Sequence, residues 1–214
     1  AQLDPSTSPT SLGPHDGIVD EVVVDPADPA RMIVLGDYGD GRRLLRSVDG
    51  GASFEPLATH AWGEFDAVSV AIDPELPHAL YVATDERVLR SLDFGTNWSE
   101  FTVAPGDTLR ELWIAPAGGA LIVRSWNDAW RSDDGGATWT PIATTPTTVL
   151  RTVAFAPGDA ARVYGGTSTG EIHRSTDGGA TFALAGSLPA EVSIEAITVD
   201  PASPDGLLVA AFPG

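Results

Sequence analysis

The chain has 214 residues, 43 % hydrophobic and 20 % charged, the make-up of a globular protein with one large or two small domains. Its 30 acidic side chains face 12 basic ones, all arginine, and the net charge of -18 excludes a nucleic-acid binder with a broad basic surface and disfavours adsorption to anionic membranes. Without cysteine there is no disulfide framework, thiol nucleophile or thiolate metal site, and no apolar run approaches the roughly 20 residues that cross a bilayer, so no membrane insertion is expected.

Residues 1–17 are rich in Ser, Thr and Pro and read as a linker. They begin with neither an initiator Met nor a signal peptide, as expected of a chain already processed or excised from something longer. From Ile18 a pattern sets in: the apolar run Val22-Val23-Val24 ends in Asp25-Pro26, a second run spans Met32 to Leu35, and a third, Leu44-Leu45-Arg46, leads into the octet Ser47-Val-Asp49-Gly-Gly51-Ala-Ser53-Phe54. The pattern returns with Val70-Ala71-Ile72, Asp73-Pro74 and Ser91-Leu-Asp93-Phe-Gly95-Thr-Asn97-Trp98. It returns again with Ala115-Pro116 and Ser132-Asp-Asp134-Gly-Gly136-Ala-Thr138-Trp139, then with Ala156-Pro157 and Ser175-Thr-Asp177-Gly-Gly179-Ala-Thr181-Phe182. The octet aspartates lie 44, 41 and 43 positions apart, and an arginine precedes each octet: Arg46, Arg90, Arg131 and Arg174. A last apolar pair of stretches flanks Pro201 and carries no octet.

Four short strands joined by Gly, Pro and Asp turns at a period of about 43 residues predict an all-β fold, a β-propeller of four-stranded antiparallel blades. The blades fall at about 18–57, 67–101, 109–142 and 150–184, with the first half of a fifth at 192–212. A strand packed on both faces reads as a continuous apolar run, which explains Val22 to Val24 and Val70 to Ile72. An open ring leaves an apolar face and an unpaired edge in water, so the expectation is a piece of a larger ring, or a partner chain that covers the fifth-blade edge.

The octet itself is accounted for by folding. The Asp carboxylate accepts backbone amides of its own turn, the Ser and Thr hydroxyls tie the turn's ends, the glycines supply positive φ and the aromatic packs between sheets. The positions concerned are Ser47, Asp49, Gly51, Phe54, Ser91, Asp93, Gly95, Trp98, Ser132, Asp134, Gly136, Trp139, Ser175, Asp177, Gly179 and Phe182. Asn97 stands where the other octets have Ser or Thr, which predicts a looser second turn.

Ser-x-Asp-x-Gly-x-Thr-Trp repeated once per blade resembles the Asp-box, or BNR repeat, of sialidases, sortilin-type receptors, xyloglucan-degrading glycoside hydrolases and photosystem II assembly factors. Val70-Ala-Ile-Asp-Pro74, Leu80-Tyr-Val-Ala83 and Arg90-Ser-Leu-Asp93 reproduce the order found in the last three. The resemblance covers residues 18 to 212 and implies that the Asp-box is structural, away from any active site. It implies an extracytoplasmic setting, and ligands bound at the opposite end of the blades, near the central channel.

Strand alternation places the second-to-third and fourth-to-first loops at that opposite end. Three of them combine aromatic, polar and acidic groups: Asp37, Tyr38, Asp40 and Arg42; His60, Trp62, Glu64 and Asp66; and Trp126, Asn127 and Asp128, with Asp85 in the second blade. Such groups serve sugar or cationic-peptide sites, or lie as solvated loops over the blade ends. A glycosidase needs two carboxyls about 5 to 10 Å apart, for which Glu64 with Asp85 or Asp128 are candidates. A sialidase also needs three converging arginines, a Tyr nucleophile and, by resemblance, a Phe/Tyr-Arg-Ile-Pro stretch that this sequence lacks. The four octet-preceding arginines read instead as blade-to-blade structural groups.

His15, His60, His78 and His173 have no metal-ligand spacing and read as surface residues. Asp37 with Asp40 do not amount to a calcium site, no phosphate loop is present, and Asn97-Trp98-Ser99 matches a glycosylation acceptor only inside an Asp-box turn. No catalytic residue, cofactor or metal is assigned. The expected function is a non-enzymatic binding or assembly module with a protein or glycan partner; the alternatives are a piece of a xyloglucanase- or sialidase-type hydrolase and a subunit of a larger membrane-associated or photosynthetic-type complex.

Overall fold

Turn chemistry and apolar runs decide the architecture. The computed structural model describes residues 17–37, 42–57, 67–76, 78–104, 106–116, 119–145, 148–189 and 192–213, and among them every regular element is a strand. Sheet I contains β1 (Ile18–Val24), β2 (Met32–Asp37), β3 (Arg42–Ser47) and β4 (Glu55–Pro56), antiparallel and in that order. Sheet II contains β5 (Ser69–Ile72), β6 (Leu80–Ala83), β7 (Arg87–Ser91) and β8 (Ser99–Thr102). Sheet III contains β9 (Glu111–Ile114), β10 (Leu121–Arg124), β11 (Ala129–Ser132) and β12 (Thr140–Pro141).

The chain then departs from the simple repeat. The segment read as a loop after the third octet contains β13 (Ala143–Thr145), which runs parallel to β17 (Thr181–Ser187). It becomes the outer strand of sheet IV, whose other members are β14 (Leu150–Ala156), β15 (Asp159–Thr167) and β16 (Glu171–Ser175). Thr-rich backbone here pairs an edge that would otherwise face water. Sheet V holds only β18 (Val192–Asp200) and β19 (Ser203–Pro213).

The core lies between sheets, and alternation of side chains along each strand divides it. Val70, Ile72, Leu80 and Val82 of sheet II pack against Ile33, Leu35 and Leu44 of sheet I, while Ala71, Tyr81 and Val88 face Leu112, Leu121 and Val123 of sheet III. From sheet III, Ile122 turns the other way to meet Leu150, Val153, Val163 and Phe182 of sheet IV; Tyr164 then meets Ile194, Ile197 and Val199 of sheet V. All four residues of β5 and of β6 are therefore buried.

The outermost sheets differ. On β1, Ile18, Val19, Val22 and Val24 are exposed, and on β19 Leu208 and Phe212 are 76 % and 61 % exposed. His173, expected at the surface, is fully buried on β16. Its cross-strand partner is Gly165 of β15, over which Leu150 packs so closely that a Cβ would stand 2.7 Å from Leu150 Cδ2.

Candidate functional site

At one end of the sheets lie the octets, and each closes on itself. The Ser Oγ donates to the Asp Oδ1 at 2.8, 2.8, 2.8 and 2.6 Å in chain order and accepts the N–H of Gly51, Gly95, Gly136 or Gly179. The same Oδ1 accepts the amide of the residue four positions on, and Oδ2 accepts that residue's side chain at 2.6 to 2.7 Å.

Hydrogen bonds to the ionised form hold these carboxyls at about 2 rather than 3.8. The largest contribution is the Ser53 hydroxyl for Asp49, the Asn97 amide for Asp93 and the Thr138 hydroxyl for Asp134. At Asp177 burial pushes upward and the bonds from Ser175 and Thr181 together outweigh it. Asn97 does not loosen its turn, because its Nδ2 reaches Asp93 Oδ2 at 2.6 Å as a hydroxyl does elsewhere. The real departure is Phe94, a non-glycine at φ 55 where the other octets have glycine, with its ring buried in the core between sheets I and II.

The arginines before the octets link successive sheets. Arg46 Nη1 donates to Phe94 O at 2.7 Å, Arg90 Nη1 to Gly135 O at 3.0 Å, and Arg131 Nε to Gly178 O at 2.9 Å. Each acceptor is the carbonyl just after the aspartate of the next octet. The groups at this end are thus engaged with one another.

The opposite end carries the ligand-face candidates. Tyr38, Asp40, His60, Trp62, Glu64 and Asp66 lie outside the described residues. Asp37 is at the exposed end of β2, Arg42 pairs with Asp20 at 3.2 Å, and Asp85 is exposed in the turn from β6 to β7. The turn from β10 to β11 is closed by Ser125 N–H donating to Asp128 O at 2.8 Å, which lifts Trp126, Asn127 and Asp128 into solvent.

Asn127 and Asp128 line a cavity of about 300 Å³ between sheets III and IV, together with Ile142, Thr144, Thr148 and Leu150. Beside it, two arginines absent from the sequence-based candidates meet Trp126: the Arg110 Cζ lies 4.3 Å from the ring centroid and the Arg151 Cζ 5.6 Å. The signal was present in the sequence, since both sit six residues before the Ala-Pro proline of adjacent repeats.

A second series concerns the first strand of each sheet. Glu21 Oε2 accepts the Val70 N–H at 3.0 Å, and Ser69 Oγ accepts the Leu112 N–H at 3.3 Å, so a side chain of one sheet caps a strand amide of the next. Burial pushes the Glu21 carboxyl upward against the bonds from Val70 and Ser69. Glu111, at the same repeat position, turns instead to Arg124 Nε at 2.7 Å.

The family model described as the BNR/Asp-box repeat matches residues 130–141, the third octet and its flanks. No curated protein matches the sequence. Among solved structures, YCF48 bound to a D1 peptide superposes with a TM-score of 0.63 at 15 % identity, over 91 % of this chain and 63 % of that one. The GH74 xyloglucanase from Xanthomonas campestris gives a TM-score of 0.69 at 19 % identity, over 91 % of this chain and 35 % of that one. An ancestral GH74 enzyme gives 0.66 at 14 % identity, over 87 % and 28 %. The chain spans less than two thirds of the length of each, and the likeness is one of fold. The Asp-box repeats and the propeller-type arrangement of sheets read from the octets are borne out.

Proposed function

We propose that the chain is a non-enzymatic Asp-box propeller segment, four complete blades and the first half of a fifth, that binds or assembles with a protein or glycan partner outside the cytoplasm. The observation that carries this reading is the chemistry of the loop end. Glycoside hydrolysis needs a carboxylic acid with a raised pKa facing a second, ionised carboxylate across the scissile bond. Burial pushes the Glu21 carboxyl upward, and its oxygen is taken by a strand amide. Among the described residues Asp128 is the single carboxyl lining the cavity at that end, and what gathers beside the cavity is a tryptophan with two arginines, a recognition surface rather than a pair of carboxyls. A partner surface covers the exposed apolar side chains of β1 and β19 in this reading.

The likeness to GH74 enzymes favours a hydrolase as the second reading, and the likeness to YCF48 favours assembly within a larger complex as a form of the first. Incubation with xyloglucan and a sialylated glycan, followed by reducing-end and sialic-acid assays, separates the two. The binding reading expects no release above a heat-inactivated control while peptide or glycan arrays show saturable binding. Release that disappears on replacing a loop-end carboxylate overturns it.

A further inference from the structure

In a chain with 30 acids and 12 arginines, an arginine without an acid is unexpected. Among the described residues Arg31, Arg42, Arg46, Arg87, Arg124, Arg131 and Arg162 each hold a carboxylate. Arg90, Arg110, Arg151 and Arg174 hold none, and the Nε–H donors of Arg90, Arg110 and Arg151 are buried without a hydrogen-bond partner. Arg174 is exposed and Arg90 still donates through Nη1 to Gly135 O, whereas the guanidinium groups of Arg110 and Arg151 make no hydrogen bond among the described residues. Both guanidinium groups lie against Trp126, so they are no further from each other than the sum of 4.3 and 5.6 Å. Two like charges held that close, each with a dry donor unpaired, are unfavourable until an anion arrives.

The fold does not require them. At the same repeat position the other three repeats have Asp20, Val68 and Glu195, while the buried residues just before the two arginines, Leu109 and Leu150, do the packing. Trp126 likewise occupies a turn position given to Asp85 and Ser168 in the neighbouring repeats. Three departures from the repeat converge on one spot, next to the cavity lined by Ile142, Thr144 and Leu150.

We propose that Arg110, Trp126 and Arg151 form a carboxylate-binding site for an acidic peptide segment, whose neighbouring side chain enters that cavity. Planar guanidinium groups take a carboxylate through paired N–H bonds, and the indole fixes their orientation. A peptide is favoured over an acidic sugar because Arg110 covers the ring at stacking distance, where a pyranose would otherwise lie. The inference rests on the reading of the chain as a binding module.

The test uses the whole chain labelled with ¹⁵N-arginine. Its Nε–H signals are assigned from Arg110→Gln and Arg151→Gln and titrated with acetyl-Ala-Leu-Glu-Glu, its Gln-Gln amide counterpart and digalacturonate. Saturable shifts of the Arg110 and Arg151 signals with the acidic peptide alone are expected, while exposed Arg174 stays still. Each Gln variant then weakens binding about tenfold, and Arg→Lys recovers only part because it loses the paired bonds. If a Gln variant fails to fold, Trp126→Leu, at an exposed turn, provides the same comparison, with weakened binding expected and unchanged affinity overturning the site. Shifts spread equally over all arginines, or none, overturn the proposal, and digalacturonate binding as tightly at the same two residues overturns its peptide assignment. Peptide binding insensitive to both arginines removes this site and leaves the module reading standing. Xyloglucan cleavage removes the module reading whatever the shifts show.

Discussion

The two ends of the sheets are built on opposite rules. At the octet end four turns repeat the same bonds to within about 0.2 Å, and nearly every polar group is spent on its own turn or the next sheet. At the loop end the repeat positions diverge, Asp85, Trp126 and Ser168 standing in equivalent places. The guanidinium groups of Arg110 and Arg151 make no hydrogen bond there among the described residues, whereas Arg90 at the octet end, though its Nε is unpaired, donates through Nη1 to the next turn. Repetition marks what every blade needs in order to fold, and departure from it marks what one place in the molecule does.

Acid breaks this contrast most strongly because it acts on all four octets together. Each aspartate is held at about 2 in the fold against an ordinary 3.8, so its stabilisation is complete above about pH 4 and is lost as pH falls through about 2. Urea midpoints measured between pH 2 and 5 are expected to rise steeply with pH. A flat profile would mean that the octet bonds add nothing.

Single octet residues come next. Gly179 has φ +91, and a Cβ there would stand 2.6 Å from Ile122 Cδ1 of the preceding sheet, so Gly179→Ala is expected to cost about 3 kcal/mol in chemical denaturation. Ser132→Ala removes the acceptor of the buried Gly136 N–H and a donor to Asp134, and about 2 kcal/mol is expected from the same measurement. At the small end, Trp126→Ala at the loop end and Asn97→Thr inside an octet are each expected to change stability by no more than about 0.5 kcal/mol. A large loss for Trp126→Ala would erase the distinction between the ends. A large loss for Asn97→Thr would show that the amide does more than replace a hydroxyl.

The sheets were legible in the sequence because their signals are local. Apolar runs, Asp-Pro turns and an octet at near-constant spacing each act within a few residues, and the alternation of Val70, Ala71 and Ile72 between two cores follows from strand geometry alone. β13 was not legible, since pairing with β17 depends on an edge 38 residues further along the chain, from Ala143 to Thr181. His173 looked like a surface residue because its full burial on β16 is set by how the sheets pack and not by its neighbours in the chain. The candidate site was half legible: Trp126, Asn127 and Asp128 stood out as loop residues of unusual composition. Arg110 and Arg151 hid at the starts of apolar strands, where only register alignment between repeats brings them out.

The arginine links from each sheet to the next octet have a direction. Arg46, Arg90 and Arg131 all reach forward along the chain to the same carbonyl of the following turn. Donor and acceptor therefore travel together in every repeat. A duplicated unit of about 43 residues carries a plug for its successor and a socket for its predecessor, and a deleted unit leaves a matching pair behind. Gene duplication can lengthen or shorten such an arc without redesigning a joint, which leaves the opposite end free to change one residue at a time.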